Sequence, residues 1–434
     1  MSNNNSKKNN NSATNKNQKN NTNKNSINKT ENKEKVKTEK AKKDIKQDIK
    51  NKKEIKKENK KNSTKTKKEE TKQNNKKEKI EITALVPAEE KSLKKKKKKK
   101  SILKILFIIF IIFVIIDIII AFCGYMYLKS KLDQIQYVPI SPSEIYIDEQ
   151  VEESLATYRN IALFGIDARK DTFSKGYRSD CIMILSLNEQ TNEAKITSVY
   201  RDTYLNIDDY GLDKVTHAYS YGGAKLALNT LNKNLDLNIT EFVAVNFDTV
   251  RTVVDSVGGI DMHITSEETK YINFYINELN GIFGTSSKNI TKVGDYTLDG
   301  VQALAYSRIR YTEGGDYKRT ERMRDVLSLV FEKVKNLSIP ELDKLSNEIL
   351  PHISTNITSD EIVAMLPLVA KINITDSFGW PYETNGSMIK GVYYTVPEDL
   401  EEDVSKLHKE LFNEEDYTPS KTVQSISDKI KDAK

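Results

Sequence analysis

Apolar residues are spaced in three different ways along this 434-residue chain. Over residues 1–100 they are nearly absent, and Lys, Asn, Glu, Thr and Ser dominate. Such a segment cannot bury enough surface to offset the entropy of ordering it, which predicts disorder. From 105 to 127 they are continuous ("ILFIIFIIFVIIDIIIAFCGYMY"), with Asp117 as the one charge. As a helix this run is roughly 34 Å long, enough to cross a bilayer core of about 30 Å. Beyond about residue 155 they become periodic, as in a folded domain.

The periodic part predicts alternating strands and helices. "NIALFGID" (160–167) reads as a buried strand, and "DCIMILSLN" (180–188) and "AKITSVYRDTYLNI" (194–207) as two strands of a hairpin around "EQTNE". Leu226, Leu228, Leu231 and Leu235 lie near helical spacing within 221–235. "EFVAVNF" predicts a strand, "DTVRTVVDSVGG" a helix stopped by Gly258-Gly259, and "IDMHI" a further strand. Asp299 stands as N-cap of a helix in "LDGVQALAYS". Met323, Val326, Leu327, Val330, Phe331 and Val334 mark one stripe of an amphipathic helix. Helical pieces and a "VYYTVP" strand follow. Strands alternating with helices predict an α/β fold, a layered α-β-α sandwich with a central mixed sheet, preceded by one transmembrane helix and a disordered tail. The expected organisation is a tail (1–100), an anchor (101–127), a stalk with Pro139 and Pro142 (128–155), one domain (156–413) and a flexible C-terminal tail (414–434).

Charge sharpens the division. The overall +7 conceals about +22 in residues 1–100 and about −15 in the remainder. Seven lysines at 94–100 sit directly before the apolar run, and no comparable cluster follows it. By the positive-inside rule the tail is cytoplasmic and the domain outside. The apolar run is too long for an ordinary cleaved signal peptide. Asp117 at mid-membrane fits a protonated residue in a single-pass anchor better than a proton-linked role. Cys123 and Cys181 are too few for a disulfide framework. The tail's lysines lack interleaved aromatics, so attraction to anionic membrane lipids is expected and specific nucleic-acid binding is not.

Ten residues are Arg against 59 Lys, and all ten fall between 159 and 324. Lysine supplies charge equally well; it does not supply a planar fork that grips phosphate bidentately. Clustered arginines in a net-acidic domain therefore suggest an anion site. Arg169 stands two residues after Asp167, Arg178 two before Asp180, and Arg201 adjoins Asp202. Arg308 and Arg310 share a face if extended, and Arg319 and Arg322 share one on a helix, whereas Arg324 points elsewhere. Arg159 and Arg251 read as surface residues, and Gln302 as one half of a capping box with Asp299. The four histidines have no metal-ligand spacing, and no P-loop, nucleophile elbow or H-E-x-x-H occurs. A phosphate site without those motifs would rest on arginines and a carboxylate-bound hard cation, for which Mg2+ is suited.

Seven ordered motifs carry a resemblance: "GIDAR" (165–169), "RSDCIMILSLN" (178–188), "SVYRDTYLNI" (198–207), "KVTHAYSYGG" (214–223), "VNFDTVRTVVDSVGGIDM" (245–262), "LDGVQALAYSRIR" (298–310) and "GDYKRTERMRDVL" (315–327). Over roughly 155–335 the chain resembles the LytR-CpsA-Psr family. The resemblance implies an enzyme that moves a glycopolymer from a polyprenyl-pyrophosphate carrier to peptidoglycan, with the lipid in an apolar tunnel inside the sandwich. It implies Asp167 and Asp180 as ligands of Mg2+ or Mn2+, and Arg169, Arg178, Arg201, Arg308 and Arg310 as the pyrophosphate grip. Gln302, Asp316, Arg319 and Arg322 match other polar positions of the family, and Asp202 is the candidate base, with Arg201, Arg308 and Arg310 beside it in catalysis. Four residues depart from the family pattern: Tyr200 for Pro, Cys181 for Thr, His217 for Asn and Met323 for Gln. The alternatives are a polyprenyl-pyrophosphate hydrolase and a non-enzymatic membrane regulator acting through its basic tail.

Overall fold

A computed structural model describes residues 88–168 and 173–433. The chain divides into two units, residues 1–104 and 105–434. The expected disordered tail and Arg169 lie outside the described residues, apart from the start of the helix Ala88–Leu132. Within that helix, Leu106–Leu132 is the stretch of the described residues long and apolar enough to cross a membrane.

The second unit is built on a seven-stranded mixed sheet. Its spatial order is Gln136–Tyr137, Ile353–Thr355, Glu241–Asn246, Tyr158–Ile166, Ser179–Asn188, Glu193–Val199, Asn373–Trp380. Tyr158–Ile166 pairs antiparallel with Ser179–Asn188 and parallel with Glu241–Asn246. The alternation of side chains along these strands creates two packed faces. Ala162, Phe164, Ile182 and Ile184 point into one core with Leu228 and Leu231 of the helix Val215–Leu235. Cys181, Met183 and Leu163 point the other way, against Met323 and Leu327 of the helix Gly315–Lys335. Helices thus cover both sides, as the alternating pattern predicts.

Several boundaries differ from expectation, each for a physical reason. The 194–207 stretch is two strands, Glu193–Val199 and Tyr204–Ile207, because Thr203 donates its amide and its hydroxyl to the Tyr200 carbonyl and turns the chain. The helix expected from 221 begins at Val215, and Gly223 (φ 68°) kinks it. "IDMHI" leaves the central sheet and pairs with Gly294–Leu298 in a separate ribbon. The stalk is partly domain: Gln136–Tyr137 forms an edge strand, and Ile145, Val151 and Leu155 are buried in the core. The C-terminal stretch expected to be flexible holds the helix Lys421–Asp432, whose Val423, Ile426 and Ile430 are buried in that same core.

Between the sheet and the helices of the second face lies an apolar cavity of about 240 Å³. Leu163, Gly165, Met183 and Val243 form its floor; Val250, Val253, Met323, Val326 and Val330 form its roof. Gly165 is needed there, since a Cβ would stand 2.7 Å from the Cys181 Cβ.

Candidate active site

The turn at the end of Glu193–Val199 carries Arg201 and Asp202. It is fixed from three sides: Tyr200 N donates to the Trp380 carbonyl, Thr216 N to the Arg201 carbonyl and Thr395 N to the Asp202 carbonyl, at 2.9–3.1 Å. Arg201 Nη1 donates to Asp180 Oδ2 at 2.8 Å, and its Nε stands 3.9 Å from Asp202 Oδ1. Lys214 Nζ is 3.1 Å from the same Asp202 oxygen. Asp180 begins the neighbouring strand, and the Asp167 amide donates to the Arg178 carbonyl at 3.0 Å, which ties the ends of this hairpin together. Asp167 and Arg178 are both exposed.

A second set comes from the Gly315–Lys335 helix. Gly314 (φ 87°) and Gly315 (φ 52°) let the chain turn sharply into it. Asp316 in its first turn holds Arg319, with Nε 2.8 Å from Oδ1 and Nη2 donating to Oδ2 at 3.0 Å. Arg310 Nε approaches the same carboxylate at 3.5 Å. Burial, followed by the nearby charges of Arg319 and Arg201, holds Arg310 below its usual value, with Asp316 and Asp180 opposing. Arg201 is also drawn down by burial, but Asp180, Asp202 and Asp316 outweigh this and raise it. Those mutual influences place Arg201, Arg310, Arg319, Asp180 and Asp316 in one cluster. Among the described residues three buried atoms there have no hydrogen-bond partner: Arg201 Nε, Asp180 Oδ1 and Arg319 Nε, the last meeting Asp316 as an ion pair only.

The cluster borders the cavity. Cys181 lines the cavity, follows Asp180 directly and feels the charge of Arg319. Burial pushes the Cys181 thiol up to about 11, which disfavours the thiolate.

Not every expected residue reaches this cluster. Arg308 caps the helix Gly300–Ser307 in a helical conformation (φ −100°, ψ −6°), so it is not extended alongside Arg310. It lies 3.8 Å from Glu278 and over the Tyr275 ring. Gln302 is committed to the backbone, accepting from Asp299 N at 3.0 Å and donating to the Lys288 carbonyl at 2.8 Å, so its role is the capping box and not a phosphate contact. Arg322 is 1% exposed and fully engaged. Its Nε donates to Glu268, Nη1 to the Ile309 carbonyl and Nη2 to Thr312 Oγ1. It braces the fold from within, all three guanidinium nitrogens committed to protein acceptors.

Sequence reasoning passed over other residues. Lys214 flanks Asp202, yet one lysine among 59 has no compositional contrast. Asp213 accepts from His217 Nδ1 (2.8 Å), Tyr221 (2.7 Å) and Tyr394 (3.3 Å). Burial opposes its ionisation, but the His217 and Tyr221 bonds and the Lys214 amide hold it below the usual carboxylate range. Arg324, set aside on helical phase, is buried at 6% exposure near Tyr200 and Cys181.

Among the described residues no group of three or more His, Cys, Asp or Glu converges as a metal nest. A divalent cation here would have to share its coordination with a ligand. The arrangement as a whole suits an amphiphile: apolar space for a chain, then forked cations for a multiply charged head.

Comparison with known proteins agrees in scope. The model of the LytR_cpsA_psr family matches residues 125–411. A polyisoprenyl-teichoic acid–peptidoglycan teichoic acid transferase TagU of Enterococcus faecalis is 31% identical over 313 residues, covering 68% of this chain and 94% of the relative. The corresponding transferase TagT of Bacillus subtilis is 31% identical over 242 residues, covering 54% of this chain and 70% of the relative. Among solved structures, the family protein YwtF (TagT) with bound octaprenyl pyrophosphate lipid aligns at 25% identity and a TM-score of 0.47, covering 64% of this chain and 98% of that one.

Proposed function

We infer the function from one premise: the chain belongs to the LytR-CpsA-Psr family. It is a membrane-anchored phosphotransferase that moves a glycopolymer from a polyprenyl-pyrophosphate carrier to peptidoglycan. The observation that carries this reading is the junction of the apolar cavity with the Arg201, Arg310 and Arg319 cluster. The cavity takes the isoprenoid and the guanidinium groups take the diphosphate.

In the proposed step a sugar hydroxyl of the acceptor attacks the sugar-side phosphorus. A phosphorus–oxygen bond to the acceptor forms, the bridging bond of the diphosphate breaks, and the carrier leaves as its monophosphate. The hydroxyl proton passes to Asp202, which Lys214 and Arg201 flank. Such a reaction needs mostly positioning and electrostatic stabilisation, since charge builds on the leaving phosphate and forked guanidinium donors suit it. Asp180 keeps one buried oxygen without a partner, and with Asp167 it suits a hard cation, Mg2+ or Mn2+, that takes its other ligands from phosphate. When bound, that cation would neutralise charge on the phosphate oxygens. The lysine cluster before the anchor supports a cytoplasmic tail, lying against anionic lipid, and an extracellular catalytic domain.

The test uses the full chain in lipid nanodiscs with a lipid-linked glycopolymer and isolated peptidoglycan. Arg201→Ala and Asp180→Asn are expected to lower transfer at least a hundredfold while thermal unfolding stays cooperative. Wild-type transfer rates in both variants would sink the reading. Release of the carrier without any acceptor would instead favour the hydrolase, and loss of function only on deleting residues 1–93 would favour the tail-based regulator.

A further inference from the structure

We propose that Arg324 is a fourth guanidinium of the anion site, held without a counter-charge until a diphosphate binds beside it. The inference rests on the functional reading above and adds a residue to it.

The contrast with Arg322 is the starting point. The two stand two positions apart on one helix, and both are buried, at 1% and 6% exposure. Arg322 donates to a carboxylate, a carbonyl and a hydroxyl. Among the described residues, Arg324 has Nε and Nη1 buried with no partner and pairs with no carboxylate. An uncompensated buried charge is among the costliest features a fold can carry, and such groups are kept where a ligand uses them. In a chain with 59 Lys and ten Arg, a guanidinium at a position that an apolar side chain would fill better is not background composition.

Its neighbours among the described residues do not supply the missing charge. Burial pushes the Cys181 thiol up to about 11 and raises the Tyr200 hydroxyl above its usual value, so both keep their protons near neutral pH. Glu321 and Asp325 act on Arg324 only at a distance beyond ion pairing. Burial accordingly holds Arg324 below its ordinary value.

Location names the ligand. Cys181 and Met323 line the cavity. Met323 precedes Arg324, while Cys181 feels both Arg319 and Arg324. Arg324 thus lies where apolar space ends and the paired arginines begin. An anion there is the head of a molecule whose tail fills the cavity. Arg201, Arg310 and Arg319 already have carboxylate partners, so Arg324 is the cation whose charge a multiply charged head would neutralise outright.

The experiment titrates inorganic pyrophosphate and geranylgeranyl pyrophosphate into the full chain in nanodiscs, for wild type, Arg324→Met and Arg324→Gln. Both variants should bind both ligands at least tenfold more weakly. The unliganded variants should also melt several degrees above wild type, an outcome opposite to that of losing a structural arginine. Unchanged affinity, a lowered melting temperature, or a loss confined to the lipid ligand would each overturn the proposal. A wild-type chain that binds neither ligand would take the functional reading down with it; a wild type that binds while the variants bind equally well removes only Arg324.

Discussion

Arg322 separates two readings of the same helix. Spacing placed it with Arg319 as a candidate phosphate ligand; the structure buries it against Glu268 at 3.1 Å, with the two side chains 2% and 6% exposed. At that separation the attraction is about 5 kcal/mol for an effective dielectric near 20, an upper scale that desolvation of both ions erodes. What a single substitution measures is different. Arg322→Met leaves Glu268 buried and charged, keeping only its bonds from Thr265, and breaking such a pair costs about 3–5 kcal/mol. For a domain of this size, each kcal/mol moves the melting temperature by roughly 2–4 °C, so a drop of about 10 °C is expected. Glu268→Gln keeps the acceptor for Thr265 and removes the charge, so the double variant should recover more than half of the loss.

The assay is calorimetric melting of the full chain in nanodiscs, with pyrophosphate titration at a temperature where each variant is folded. The expected pattern is a large melting shift and a dissociation constant within about twofold of wild type. If Arg322→Met melts with the wild type and binds pyrophosphate tenfold more weakly, the structural assignment is wrong and the helical-phase argument was right.

Three further outcomes follow from the packing. Val250→Trp, which projects into the 240 Å³ cavity, should weaken geranylgeranyl pyrophosphate binding at least tenfold and leave inorganic pyrophosphate unaffected; equal losses on both would disprove the tail assignment. Burial pushes Asp403 up to about 6, while the Tyr382 and Glu383 amides oppose it. Because the folded value is raised, its contribution to stability is complete below about pH 4 and is lost as pH rises through 6. Two units correspond to about 3 kcal/mol, so Asp403→Asn should flatten the melting temperature between pH 4 and 7, and a parallel wild-type curve would contradict the shift. Removing residues 414–434 strips Val423, Ile426 and Ile430 from the core, each worth about 1.5–3 kcal/mol when buried; a melting temperature within 2 °C of wild type, by the same calorimetry, would show that the helix is dispensable.

What could be read from sequence tracks the range of the interaction that decides it. The central strands were legible because a fully buried strand is a continuous apolar run, and the Asp299–Gln302 cap because both partners lie within four residues. The edge strand Gln136–Tyr137 was not, since two residues carry no period and its partner lies more than 200 positions away. The last helix shows Val423, Ile426 and Ile430 at i, i+3 and i+7, a legible stripe hidden by its polar surroundings. For the arginines, helical phase fixes which residues share a side but not what that side meets. Arg322 faces Glu268, 54 residues earlier, and Arg324 lies near Tyr200 and Cys181 of the sheet beneath its helix, and nothing local distinguishes a buried partner from an absent one.

The same geometry explains why arginine, and not the abundant lysine, occupies this site. A set of unpaired cations awaiting a diphosphate would repel one another and destabilise the empty fold. Here Asp180 holds Arg201, and Asp316 holds both Arg310 and Arg319, so these three are paired at rest and Arg324 is the exception. A lysine in that position would spend its single nitrogen on the carboxylate and have to release it to take a phosphate. A guanidinium carries five donors on one rigid plane. Arg201 shows the consequence directly: Nη1 is bonded to Asp180 while Nε stays buried and unbonded. Carboxylate and phosphate can then be held by different edges of one side chain, and binding needs no prior breaking of the resting pairs. That preserves both the stability of the empty domain and the preorganisation on which electrostatic catalysis depends.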